Sequence, residues 1–192
     1  MPEIEPRPLR ADARRNRDRL LASASRLFVE QGLDATVDMI AKDAGVGMGT
    51  LYRHFPTREA LIEAAYRTQL DAVCDAAAEL VESVGAEEAL RTWMDRFLDY
   101  VTTKMGMKDA LHAVISSGGN PFAHSRQRLL DALTTLLAAT GGAGVTRTDV
   151  STEDVLLSLS GVALAAGAPE RREQAGRMLD LLLDGLRYRS AS

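Results

Sequence analysis

The sequence predicts an all-α protein. Three observations predict it: apolar residues recur every three or four positions through most of the chain, no stretch alternates apolar and polar as a half-buried strand would, and glycines and prolines fall between the periodic segments.

Taken in order, 1–9 contain three prolines and read as a disordered arm. Leu20, Leu21, Ala24, Leu27 and Phe28 share one helical face, giving a helix over about 10–30 that stops at Gly32. Thr36 can accept a free backbone N–H, so it starts a short helix that carries Val37, Ile40, Ala41 and Ala44 inward and ends at Gly45. A further short helix spans about 47–54 and is closed by Phe55-Pro56. Thr57 then caps a long helix reaching to about Glu82. Further helices are predicted over about 86–104, 107–117, 121–140, 152–167 and 169–188, separated by glycine-rich punctuation. The domain boundaries read as 10–56 and 57–192, with no flexible linker between them.

Composition narrows the function. No apolar run approaches the ~18 residues of a membrane span, and the first residues lack the basic start and apolar centre of a secretory signal, so a cytoplasmic protein is expected. A single cysteine, Cys74, makes neither an internal disulfide nor a cysteine cluster. His112 and His124 lack metal-ligand spacing, and no metal or cofactor is expected. The net charge is −4, but residues 7–58 carry 10 Lys and Arg against 6 Asp and Glu, while 59–192 carry 13 against 19. A basic front on an acidic body suits an anionic partner at one end. Nucleophile-elbow, phosphate-loop and dinucleotide signatures are absent, so an enzyme is not expected.

The stretch "GVGMGTLYRHFPTRE" gives that end its chemistry. Two short helices joined by a tight turn at Gly45 have the form of a helix-turn-helix, whose second helix enters the major groove. Gly47 and Gly49 remove side chains where backbone can approach DNA, and Leu51 and Phe55 anchor the helix inward. Thr50, Tyr52 and His54 suit phosphate oxygens, whereas Arg53 suits a bidentate base contact. The upstream Arg14, Arg15, Arg17 and Arg19 extend the basic surface, with Arg14 and Arg15 taken as phosphate contacts.

The segment "TVDMIAKDAGVGMGTLYRHFPTREAL", with "LLASASRLFVEQGLDAT" before it, resembles the DNA-binding signature of the TetR family of bacterial transcriptional regulators over about 10–66. The resemblance implies a homodimer with a three-helix N-terminal DNA-binding domain containing the helix-turn-helix, and a helical C-terminal domain that binds a small molecule and dimerises through its last two helices. It also places Thr36, Thr50, Tyr52, His54 and Arg58 at the family's phosphate contacts. Met48 departs from the polar or basic residue common there, and is suited to a thymine methyl. "ALRTWMDRFLDYVTTKMGM" and "GRMLDLLLDGLR" are similar to C-terminal segments of some actinobacterial members.

Within the body, Trp93, Phe97 and Tyr100 share a helical face and, with His112 and Phe122, are the candidate lining of a ligand pocket. Val155, Leu159 and Val162 on one predicted helix, and Leu179, Leu182 and Leu186 on the next, are the candidate dimerisation stripes, with Ser158, Gly161 and Ala165 allowing close approach. The expected function is a ligand-responsive repressor that binds a palindromic double-stranded DNA operator as a homodimer and is released by a small molecule. The alternative is an activator or architectural DNA-binding protein without a ligand.

Overall fold

The computed structural model describes residues 7–166 and 169–187. They form nine α-helices: α1 (Arg7–Gln31), α2 (Val37–Asp43), α3 (Met48–His54), α4 (Arg58–Val84), α5 (Ala86–Gly106), α6 (Lys108–Ser116), α7 (Ser125–Gly142), α8 (Thr152–Ala166) and α9 (Arg172–Leu186). Short 3-10 turns at Gly32–Asp34 and Pro169–Arg171 precede α2 and α9. Among the described residues there is no strand, only an isolated antiparallel bridge between Thr146 and Arg187. No described helix is long and apolar enough to cross a membrane.

The all-α expectation holds, and the local signals explain most boundaries. Thr36 Oγ1 accepts the Met39 N–H at 3.2 Å and Thr57 Oγ1 accepts the Ala60 N–H at 3.1 Å, so both expected caps start their helices. Ser151 does the same for α8, taking the Asp154 N–H at 3.1 Å. Differences lie where sequence carries no cap. α1 begins at Arg7, so 7–9, assigned to the arm, are helical; 1–6 lie outside the described residues. α7 starts at Ser125, four residues beyond the expected 121, because His124 takes a left-handed backbone (φ 62°) that ends the preceding turn.

The chain forms two compact units, divided differently from the expected boundary near residue 56. The first comprises the described residues up to Thr68 together with Lys104–Pro121; the second comprises Gln69–Thr103 and the described residues from Phe122 onward. α4 and α5 each contribute one end to either unit.

In the first unit, α1, α2 and α3 pack on one another around Leu20, Ala24, Phe28, Ile40 and Leu51, all fully buried. α6 joins them by packing on the 3-10 turn. At Gly106, where α5 ends, a Cβ would lie 2.8 Å from the Val29 side chain of α1, so only glycine permits this approach. Charge also ties α1 to α2. Arg26 pairs with Asp43 at 2.5 Å, and hydrogen bonding from Ser23 and then Arg26 holds the Asp43 carboxyl below its ordinary range.

In the second unit the core is built from Val73, Ala77 and Leu80 of α4, the inner face of α5, and the apolar faces of α7, α8 and α9. α9 is fixed to α5 by alternating charges: Asp180 accepts from Arg91 Nε at 2.6 Å, Arg91 also pairs with Asp95, Asp95 accepts from Arg172 at 3.0 Å, and Arg172 reaches Asp99 at 3.3 Å. These groups are partly exposed, so the chain of pairs orients α9 more than it stabilises it. Burial of Leu179, Leu183 and Leu186 on the inner face of the same helix contributes more.

Candidate nucleic-acid interface

The surface starts from the turn between α2 and α3. Gly45 adopts φ 61°, a left-handed conformation that glycine enters without the Cβ penalty. The Val46 N–H then turns back to the Ala41 carbonyl at 2.9 Å, closing α2, and the Val46 side chain is buried beneath the turn. α3 follows at once. Its seven residues bury only Leu51, and Phe55 anchors its far end, so the helix lies on its unit by one edge. The opposite edge carries Gly49, Tyr52 (49% exposed) and Arg53, with Met48, Thr50 and His54 at the half-exposed flanks.

Gly47 and Gly49 are not required by the chain's own packing. Gly47 has an ordinary φ of −68°, and a Cβ built on either glycine meets nothing within 4 Å. Inside a helix Gly49 costs about 1 kcal/mol relative to alanine and relieves no internal clash.

Four arginines of α1 divide into two groups. Arg14 and Arg15 are exposed, with Arg15 paired to Asp12 on its own helix. Arg17 lies over the Phe55 ring at 5.7 Å, and the Arg19 guanidinium is within 3.7 Å of where a Gly45 Cβ would sit. Arg17 and Arg19 therefore flank α3 and its turn. From the sequence, Arg14 and Arg15 are the expected phosphate contacts of this basic run and Arg17 and Arg19 are not, because the contact with Phe55 joins residues far apart in the chain.

Arg58 is engaged inward. Its Nη2 donates to the carbonyls of Leu33 at 2.7 Å and Ala35 at 3.0 Å, and the guanidinium lies over Phe28 at 5.6 Å. Thr36, exposed at the start of α2, uses its hydroxyl oxygen as the helix cap while leaving its O–H to donate.

Of the candidate ligand residues, the structure brings three together. The Trp93 and Phe97 rings stack with centroids 5.6 Å apart, and Phe97 and Tyr100 meet at 6.1 Å; all three are buried in the second unit. Phe122 is half-buried in the turn before α7, whereas His112 is exposed on α6, in the first unit. Among the described residues no cluster of His, Cys, Asp or Glu could hold a metal ion.

The dimerisation stripes require correction. Val155, Leu159, Val162, Leu179 and Leu186 are buried within the chain, and Leu182 is half-buried, so these faces are intramolecular core with little surface left for a partner. The apolar residues that α8 and α9 leave exposed are Leu157 (70%), Leu164 (66%) and Leu181 (72%), on a surface that also carries Ser158, Gly161, Ala165 and Gly185.

Three packed helices with a short, one-edge-anchored second helix of the turn define a helix-turn-helix DNA-binding protein. Comparison with known proteins gives the same class. Residues 20–65 match the family described as bacterial regulatory proteins, tetR family, and residues 85–188 match the C-terminal domain of SbtR-like transcriptional regulators. The chain is similar to the crystal structure of the TetR transcriptional regulator SCO0520 from Streptomyces coelicolor, with 52% identity, a TM-score of 0.88, and 91% of this chain and 99% of that one covered. It is also similar to a TetR transcription regulatory protein from Mycobacterium vanbaalenii, with 34% identity, a TM-score of 0.78, and 94% and 100% covered. The HTH-type transcriptional regulator SAUSA300_2515 of Staphylococcus aureus is 42% identical over 64 residues, which span 33% of this chain and 35% of that protein. The chain belongs to the TetR family of transcriptional regulators, and is a DNA-binding protein of that family.

Proposed function

We propose that the protein is a ligand-responsive repressor that binds a palindromic operator as a homodimer and is released by a small molecule. The observation that carries the DNA-reading part is the pair Gly47 and Gly49: neither is demanded by the chain's own packing, so their lack of a side chain serves something that approaches from outside. On this reading Thr36, Thr50, Tyr52 and His54 hold phosphates, joined by Arg14 and Arg15 and by Arg17 and Arg19 beside the turn. Arg53 reads a base edge and Met48 a thymine methyl.

Dimerisation uses the exposed face of α8 and α9 at Leu157, Leu164 and Leu181, in place of the buried stripes. A second copy is the natural occupant, because regulators of this family act as dimers and an operator with two-fold symmetry needs two recognition helices about 34 Å apart. Binding a small molecule is likewise typical of the family. We place the effector beside Phe97 and Tyr100, which are closed in by their neighbours here, so its entry requires α5 to part from the helices around it.

Selection of bound sequences from a random DNA library tests this reading. A palindromic consensus is expected, with affinity falling steeply as salt rises. Arg53→Ala should relax discrimination at one position of each half-site, and Tyr52→Phe should weaken all sequences alike. A small-molecule screen on Trp93 emission, followed by operator release, tests the response. Absence of a selected consensus would sink the repressor reading; a consensus with no releasing compound would favour the ligand-free regulator.

A further inference from the structure

Arg58 is the first residue of α4, yet its guanidinium faces neither solvent alone nor its own helix. It meets three elements at once. One nitrogen, Nη2, is shared between the carbonyls of Leu33, in the 3-10 turn, and Ala35, in the extended residue that follows it. The plane of the group rests over Phe28, a fully buried residue of α1. The next residue after Ala35 is Thr36, the cap of α2, so the carbonyls that Arg58 holds belong to the short connection that feeds the helix-turn-helix. Thr57, immediately before Arg58, caps α4 itself.

This is an arrangement for fixing direction. The connection between α1 and α2 has no helix of its own to hold it beyond one short turn, and α2 and α3 together span few residues. Besides the Arg26–Asp43 pair, the packing of α6 on the 3-10 turn and Arg17 over Phe55, the pose of α3 relative to the start of α4 rests on the apolar contacts of Ile40, Leu51 and Phe55, which resist separation better than rotation. A guanidinium adds a rigid plane: its Nη2 makes two charge-assisted bonds at 2.7 and 3.0 Å while its flat face rests on an aromatic ring. A lysine ammonium has donors enough for both carbonyls, but it lacks the plane that rests on Phe28 and the fixed direction that plane gives the bonds.

We propose that Arg58 is a positioning residue, which locks the connection between α1 and α2 to the first turn of α4 and so sets the pose in which α3 meets DNA, and that it is not a phosphate contact. The inference rests on the DNA-reading role given to α3 above.

Two variants separate the alternatives. Arg58→Lys keeps the positive charge and removes the planar group, and Arg58→Ala removes both. Each is measured for affinity to a selected operator and to random duplex DNA across a range of salt, with amide exchange followed at 35–40 and Trp93 emission reporting the second unit. Both variants should lose operator affinity by roughly tenfold or more, as expected for losing bonds to a charged donor. Their affinity for random DNA and the slope of log affinity against log salt should match the parent, and the amides near Thr36 should exchange faster. If Arg58→Lys binds the operator like the parent while Arg58→Ala has a slope shallower by about 0.9, Arg58 is a phosphate contact and the proposal is overturned. If operator and random DNA are lost in parallel with the folded fraction, the role is general stability and the proposal is again overturned. A parent without sequence-selective binding would instead overturn the underlying DNA-reading role, and this inference with it.

Discussion

The Trp93 indole N–H donates to the carbonyl of Val73 at 2.8 Å, joining α5 to α4 from a position with no solvent exposure. Phe97 covers the neighbouring space by stacking on the indole. Trp93→Phe removes the bond and leaves part of the indole's volume empty, so it should lower stability by about 1–3 kcal/mol. Native emission should be blue-shifted, resist acrylamide, and move to the red in one step as denaturant is added. Water-like emission from the native protein would contradict this packing.

Gly49 separates stability from binding. Its backbone is helical and a Cβ there meets open space, so Gly49→Ala should stabilise the fold by about 0.5–1 kcal/mol through helix propensity and a less free unfolded chain. The same methyl stands on the exposed edge of α3 to which the DNA-reading role is assigned above, so operator affinity should fall. Thermal melts and binding isotherms on one preparation decide it. A variant that gained stability and bound DNA unchanged would remove the argument from the paired glycines.

The two kinds of leucine on α8 and α9 should respond oppositely to charge. Leu159→Glu places a carboxylate in a site of 1% exposure, where an unpaired charge cannot be solvated, and should prevent folding. Leu164→Glu with Leu181→Glu alters residues exposed by 66% and 72%, so the helical signal should survive while sedimentation shifts from dimer to monomer. A folded double variant that still sediments as a dimer would put the interface on another face.

Cys74 should be a poor nucleophile. Burial pushes its thiol up to about 11, with Arg128 opposing in part. At pH 8 the thiolate fraction should be about a hundredfold below that of a thiol titrating near 9, and alkylation of the native protein correspondingly slower than in denaturant. The sign for stability follows from the raised value. Between about 9 and 11 the unfolded chain loses this proton first, so the thiol's contribution to folding declines as pH rises through that window and is absent in Cys74→Ala. Native alkylation as fast as in denaturant would refute the assigned environment.

What the sequence made legible was whatever is decided within a few residues. Thr36, Gly45 and Thr57 act through hydrogen bonds or backbone angles one turn away, and their helices start or stop as expected. The helix-turn-helix was legible for the same reason. Period alone could not tell which apolar face of α8 and α9 turns inward: Leu159 and Leu157 both sit at helical spacing, and only tertiary packing, which buries Leu159 and leaves Leu157 exposed, separates them. Arg58 matched a phosphate-contact position, but the carbonyls it binds lie 23 and 25 residues earlier, beyond any local pattern. His124 carries a left-handed angle that no adjacent glycine announced.

The first compact unit is assembled from two separate stretches, with Lys104–Pro121 seated among the helices of the N-terminus. A DNA-reading head cut after Thr68 for grafting onto another sensor would thus leave Val29 without Gly106 against it and the 3-10 turn without α6. The transplantable part is not a linear fragment. A working chimera would have to exchange the body inside the chain, replacing 69–103 and the stretch beyond 121 while keeping 104–121, so that the graft is spliced after Thr68, before Lys104 and after Pro121 where a simple fusion is spliced once.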